Sequence, residues 1–275
     1  MKHYGRRALI REMLVILLGL LFCIPLYLVV TISLKTAPEA YVDPLSLPGS
    51  PNWSGYQDAV SGGTGMGAAM LNSAIITVGS VACLIVIGST AAYAIARRTG
   101  KLSSGLYLVF LLGIIVPWEL GLVPLYTAMR EAGLVGNLIG MIAFYTGLFM
   151  PLTVFLYTGF VRVLPRDYEE AAQVDGASSI RTFLRVVMPL LSPVTGTVAV
   201  LTGLFVWNQF FTQLIFLSGT DNVTAPVAVY SLASANVQQW NVIFAAVVIV
   251  VAPIVAFFVF AQRTMIRGFS GGVRG

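Results

Sequence analysis

Apolar residues in this chain gather into long unbroken runs, separated by shorter polar segments. The runs cover about 13–33, 72–94, 106–129, 138–160, 191–217 and 242–261. Each holds roughly twenty residues, the length at which an α-helix crosses a hydrocarbon core of about 30 Å. Uninterrupted runs of that length predict transmembrane helices. The expectation is one all-α integral membrane domain over 1–275, with six spans at those positions.

Composition agrees with the pattern: 57% of the residues are apolar and only 10% charged, far below the roughly 25% of soluble domains. The formal charge of +5 would suit nucleic acid if the basic residues were spread over one surface. Instead they cluster beside the apolar runs. Lys2, Arg6, Arg7 and Arg11 precede the first run, and Arg97, Arg98 and Lys101 follow the second. Arg162, Arg166, Arg181 and Arg185 lie between the fourth and fifth, and Arg263, Arg267 and Arg274 follow the sixth. Fourteen of the 16 basic residues thus share one side, with only Lys35 and Arg130 on the other. The positive-inside bias places both termini and the 162–190 loop in the cytoplasm.

Other features exclude more than they assign. Basic residues before the first run imitate a signal peptide, but the run is too long for an h-region and no small-x-small site ends it, so its retention is expected. Cys23 and Cys83 fall mid-span and are read as small apolar fillers. His3 stands alone near the terminus, which leaves no His-ligated metal site and no histidine-based catalysis. The glycine-rich run Gly62–Gly67 lacks the Gly-Lys-Ser/Thr ending of a phosphate loop, and no Walker A sequence occurs. If ATP drives this protein, another polypeptide hydrolyses it. The first external connection, about 34–71, is rich in Pro, Gly, Ser and Asn around Trp53 and Tyr56. It is read either as a contact for an outside partner or as an ordinary surface loop.

The polar loop at 162–190 is the most informative segment. Pro165 and Pro189 bound it, and two short helices are expected to meet near Gly176. Ala171 and Ala172 favour helix and allow close approach. Glu169, Glu170 and Asp175 crowd acids near the turn, open to cationic residues of a partner. For Glu169 and Arg166 a solvated helix face is the competing reading.

Glu170-Ala171-Ala172, Gly176, Val186, Met188 and Pro189 fit the spacing EAA-x3-G-x9-I-x-L-P, with Val for Ile and Met for Leu. This resembles the EAA motif of binding-protein-dependent ABC importer permeases. Further segments are similar to the carbohydrate branch of that family. They are Ser33-Leu34-Lys35, Asn72-Ser73, Ala91 to Arg97, Pro124-Leu125-Tyr126, Trp207-Asn208 with Phe210, and the ending Gly268 to Gly275. The resemblance runs from end to end.

It implies the type I importer permease fold in a bacterial-type cytoplasmic membrane, with the loop as a coupling helix seated in a cleft of an ATPase subunit. It further implies a second permease subunit, two ATPase subunits and an extracytoplasmic solute-binding protein delivering a carbohydrate. This chain would bind no cofactor, since ATP and magnesium belong to the ATPase. The ending Gly271, Gly272, Val273, Arg274 and Gly275 would reach between the two ATPases.

Candidate pathway residues are Glu119, between Pro117 and Pro124, and Trp207, Asn208 and Phe211 with Gln209 and Gln213 nearby. An ionisable group within a span faces the bundle interior or a watery path by default; the other reading sets Glu119 at the outer interface. Amides and rings suit a polyhydroxylated solute, and amides also join transmembrane helices to one another. An ion-coupled secondary transporter would need several intramembrane ionisable groups, where Glu119 alone stands out. A membrane enzyme would need a convergent catalytic set, and none is present.

Overall fold

The computed structural model describes residues 6–61, 65–235 and 239–271, and their side chains over 9–61, 65–235 and 239–259. The described residues are helical with short connections, and no strand occurs among them. In order the helices are α1 (Arg6–Ser33), α2 (Ala37–Val42), α3 (Ser54–Ser61), α4 (Met66–Arg97), α5 (Lys101–Ile115) and α6 (Leu122–Glu131). There follow α7 (Leu138–Val163), α8 (Asp167–Val174), α9 (Ser179–Leu190) and α10 (Ser192–Asn208). The last are α11 (Phe211–Leu217), α12 (Ala225–Ala235) and α13 (Trp240–Gly271).

Four continuous helical stretches are long and apolar enough to cross a membrane: Leu9–Ser33, Met66–Arg97, Leu138–Val163 and Trp240–Val259. They lie on the expected first, second, fourth and sixth runs. The third run is not one straight helix. It breaks between α5 and the segment Trp118–Glu131, which are bent by 90°. Pro117 supplies no backbone N–H, and the residue before a proline is pushed out of the α region; Val116 is extended, at φ −74° and ψ 120°.

The fifth run, expected as one helix over 191–217, is also interrupted. α10 ends at Asn208, Gln209 is extended, and α11 begins at Phe211. Amide side chains bond backbone carbonyls on the α10 side of the break. Gln213 Nε2 donates to Val206 O at 3.0 Å, and Asn208 Nδ2 donates to Leu204 O at 2.8 Å. Such local side-chain bonds compete with helical ones. A further bend, of 72°, separates α9 from α10.

The chain divides into two compact units, 1–67 with 225–253, and 68–224 with 254–275. In the first, the supposed loop after α1 is an ordered structure carrying α2 and α3. Lys35 is fully buried, its ammonium donating to Asp43 O at 2.6 Å and Ser46 Oγ at 3.1 Å. The Ser33 hydroxyl lies 2.8 Å from Tyr56 Oη. Gly55 of α3 lies against the Asn241 backbone of α13, where a Cβ would stand 2.9 Å from the carbonyl oxygen.

The second unit is organised on α7. Small residues let α4 approach it closely, as is usual where lipid supplies no drive to bring helices together. A Cβ on Gly79 would stand 2.7 Å from Ile142 Cδ1, and one on Gly88 would collide with Thr153. Two apolar clusters flank this contact. One gathers Ala92, Ile95, Tyr157, Val161, Phe183 and Val187 beside the 162–190 loop. The other gathers Ile76, Phe144, Tyr145, Val206 and Phe216, with Trp118 and Leu122 packed on it. The helix breaks of the third and fifth runs therefore border one cluster.

Candidate functional site

The loop after α7 folds as two helices around a glycine turn. α8 opens with Asp167, Glu169 and Glu170 in its first turn, where acids complement the positive end of the helix dipole. It closes in a Schellman arrangement: Ala177 N donates to Ala172 O at 2.9 Å and Gly176 N to Gln173 O at 2.9 Å. Gly176 takes φ +82°, the left-handed conformation such a cap requires. After the turn α9 runs from Ser179 into a π-helical stretch, Phe183–Val187.

Two faces of the loop have opposite characters. Inward, Phe183 and Val187 enter the cluster formed with α4 and α7, and the rings of Tyr93 and Phe183 are 5.0 Å apart. Glu169 also turns inward, only 8% exposed. Arg97 Nε donates to its Oε1 at 2.7 Å, Arg97 Nη2 lies 2.6 Å from the same oxygen, and Tyr93 Oη donates to Oε2 at 2.7 Å. Glu169 is therefore not open to a partner's cation, as its place beside the motif suggested; Arg97 has taken one oxygen and Tyr93 the other. Arg166 is exposed, its guanidinium 3.5 Å from Arg97 O.

Outward, Asp167, Glu170, Ala171 and Val174 fall at i, i+3, i+4 and i+7 of α8, one face of a helix. All four are exposed, as are Asp175 and Gly176, while Ala172 is half-buried. Val174 is 87% exposed and Ile180, across the turn, 73%, with Tyr168 and Leu184 also open. Large apolar side chains thus stand beside the acids on this outer face. Sequence reasoning passed over Tyr168, Val174, Ile180 and Leu184. For Val174 the signal was there in the α8 periodicity, but eight residues are too few for it to stand out.

The proposed pathway residues are placed as follows. Glu119 is exposed in the 3-10 turn Trp118–Gly121, inside the break between α5 and α6. Trp207 is half-buried at the end of α10, Asn208 is exposed with its amide spent on Leu204 O, and Phe211 is exposed at the start of α11. Gln213 is buried. Their neighbours Trp118 and Val206 share one cluster, although Glu119, Asn208 and Phe211 themselves lie outside it. Of the glycine-rich ending, Gly271 is the last residue of α13; Gly272, Val273, Arg274 and Gly275 lie outside the described residues. No group of three or more His, Cys, Asp or Glu able to hold a metal ion occurs among the described residues.

Four membrane-length helices, two bent helix pairs and a 162–190 loop with an exposed outer face mark a polytopic membrane protein. Residues 84–270 match the family described as "binding-protein-dependent transport system inner membrane component". The chain is 34% identical over 250 residues to the melibiose/raffinose/stachyose import permease protein MelC of Bacillus subtilis, covering 90% of each chain. It is 31% identical over 257 residues to the probable starch degradation products transport system permease protein AmyC of Thermoanaerobacterium thermosulfurigenes, covering 94% and 93%. A chain from the crystal structure of a bacterial ABC transporter that imports the acidic polysaccharide alginate shares the fold. Its TM-score is 0.79 at 20% identity, over 96% of this chain and 99% of that one. The chain belongs to the binding-protein-dependent transport system inner membrane component family, as a permease subunit of an ABC importer.

Proposed function

We propose that this permease forms, with a second permease subunit, the path by which an oligosaccharide delivered by a solute-binding protein enters the cell. The relatives named for melibiose, raffinose and stachyose and for starch degradation products support a sugar as cargo. Six crossings result if each bent pair is one span, and the basic residues then put both termini and the 162–190 loop in the cytoplasm. The observation that carries the reading is the uncovered outer face of α8 and α9, where Glu170, Val174 and Ile180 flank the Gly176 turn. That face seats in an ATP-hydrolysing subunit, one of two, which also holds ATP and magnesium. Glu170 meets a cationic group there, and Val174 and Ile180 supply apolar contact. When the ATPases close, the loop is displaced and the spans attached to it turn from inward to outward access. Glu119 and the Trp207–Phe211 segment are candidate solute contacts at the broken spans, where irregular backbone is tolerated if it lines a cavity.

The test is reconstitution of the co-expressed complex in proteoliposomes with binding protein outside and labelled raffinose or maltotriose as probes. Uptake should require enclosed ATP and should not respond to a proton or sodium gradient. Gradient-driven uptake without ATP would overturn the reading in favour of a secondary transporter.

A further inference from the structure

Glu170 and Glu169 are adjacent in sequence, yet the structure gives them opposite surroundings. Glu170 faces outward. Glu169 is held by the last turn of α4 through Arg97 and Tyr93. The same guanidinium reaches a third element, donating from Nη2 to Leu164 O at 3.1 Å, just beyond the end of α7. Only 14% of the Arg97 side chain and 10% of the Glu169 side chain are exposed. A charged pair this far from water is unlike the exposed pairs that contribute little. Removing one partner leaves the other buried and uncompensated.

This pair also decides what α8 can transmit. Without it, α8 hangs between the extended residue Leu164, at ψ 127°, and the left-handed turn at Gly176. A force on its outer face would then rotate α8 about its two ends. With Glu169 clamped, the same force passes into α4, a continuous helix of 32 residues, about 48 Å long at 1.5 Å per residue. The Tyr93 ring, packed against Phe183 of α9, ties the second half of the loop to the same turn of α4.

We propose that Arg97, Tyr93 and Glu169 form a latch that makes the docking loop move as one body with α4, so that they are positioning residues for energy coupling rather than contacts to the ATPase. The proposal rests on the reading of α8 and α9 as the docking surface. Because the latch is turned away from that surface, ATPase binding and energy coupling should come apart in its variants.

The experiment compares Arg97→Ala, Glu169→Ala and the double variant in the full complex, with Glu170→Lys alongside. Each is followed by membrane abundance, ATPase co-purification and solute transported per ATP hydrolysed. Arg97→Ala and Glu169→Ala should retain the ATPase yet lower transport per ATP about tenfold, within the range that coupling between sites spans. The double variant should be no worse than the weaker single one, because both remove the same interaction. Glu169→Gln and Arg97→Lys, which keep part of the bonding, should recover part of the ratio and cover the case in which an alanine variant fails to accumulate. Wild-type transport per ATP in both alanine variants, or additive losses in the double, would overturn the latch. Full ATPase retention and transport by Glu170→Lys would instead overturn the docking surface itself.

Discussion

The ring of Tyr93 on α4 packs 5.0 Å from that of Phe183 on α9, tilted by 40°. Ring pairs of this kind contribute about 0.5–1.5 kcal/mol beyond the area they bury. Phe183 is only 7% exposed and sits in the cluster that seats the loop on the spans. Phe183→Ala should therefore lower the melting temperature of the detergent-solubilised complex, and Phe183→Leu should lower it less. Thermal unfolding followed by intrinsic fluorescence checks this; equal melting for all three proteins would show that the loop is held elsewhere.

At Gly176 the prediction rests on backbone alone. Its φ is +82° and a Cβ there would meet nothing within 4 Å, so strain and not collision sets the cost. A left-handed L-residue costs about 1–2 kcal/mol, with Asn the best tolerated. Gly176→Val should reduce ATPase retention and uptake, and Gly176→Asn should stay near wild type. Co-purification and transport assays on the pair distinguish conformation from bulk.

Much of this architecture was legible in the residues. The apolar runs marked where spans lie because length and composition alone determine what suits a bilayer. Pro165, Gly176 and Pro189 marked the loop and its turn because those residues restrict or permit particular backbone angles. The breaks after Val116 and Asn208 were harder to read. Both lie within apolar runs, and the second depends on Gln213 reaching back to Val206. The opposite surroundings of Glu169 and Glu170 were not legible, since the partner of Glu169 is Arg97, seventy-two residues earlier. Pairing across that distance is a property of the packed α4 and α7 and leaves no local signature.

Gln213 is open to direct test. Its amide donates to the Val206 carbonyl across the break between α10 and α11, in a buried setting. Gln213→Leu leaves that carbonyl with only the longer bond from Gln209 N, at 3.4 Å, at a cost of about 0.5–1.5 kcal/mol. Asn208→Leu, on the exposed side, should cost less. Melting curves of the two variants should rank in that order, and the reverse order would contradict the account of the break.

The close approach of α4 to α7 gives a suppressor prediction. A side chain at Gly88 would run into Thr153 Cγ2. Gly88→Ala should reduce the amount of folded complex, and adding Thr153→Ser, which removes that methyl, should restore much of it. Size-exclusion profiles of the two proteins measure the recovery, and no recovery would mean that the backbones themselves are too close.

The outer face of α8 is the surface proposed to be covered by an ATPase, and Glu170→Lys tests this most directly. On the proposed docking, reversing this exposed charge would remove a charge-assisted hydrogen bond worth about 1.5–3 kcal/mol and oppose any cation facing it. The measurement is the ratio of ATPase to permease recovered when the tagged permease is pulled down from solubilised membranes. The expected result is normal permease in the membrane, a ratio well below that of the wild type and a matching loss of uptake. A wild-type ratio together with wild-type uptake would contradict the account.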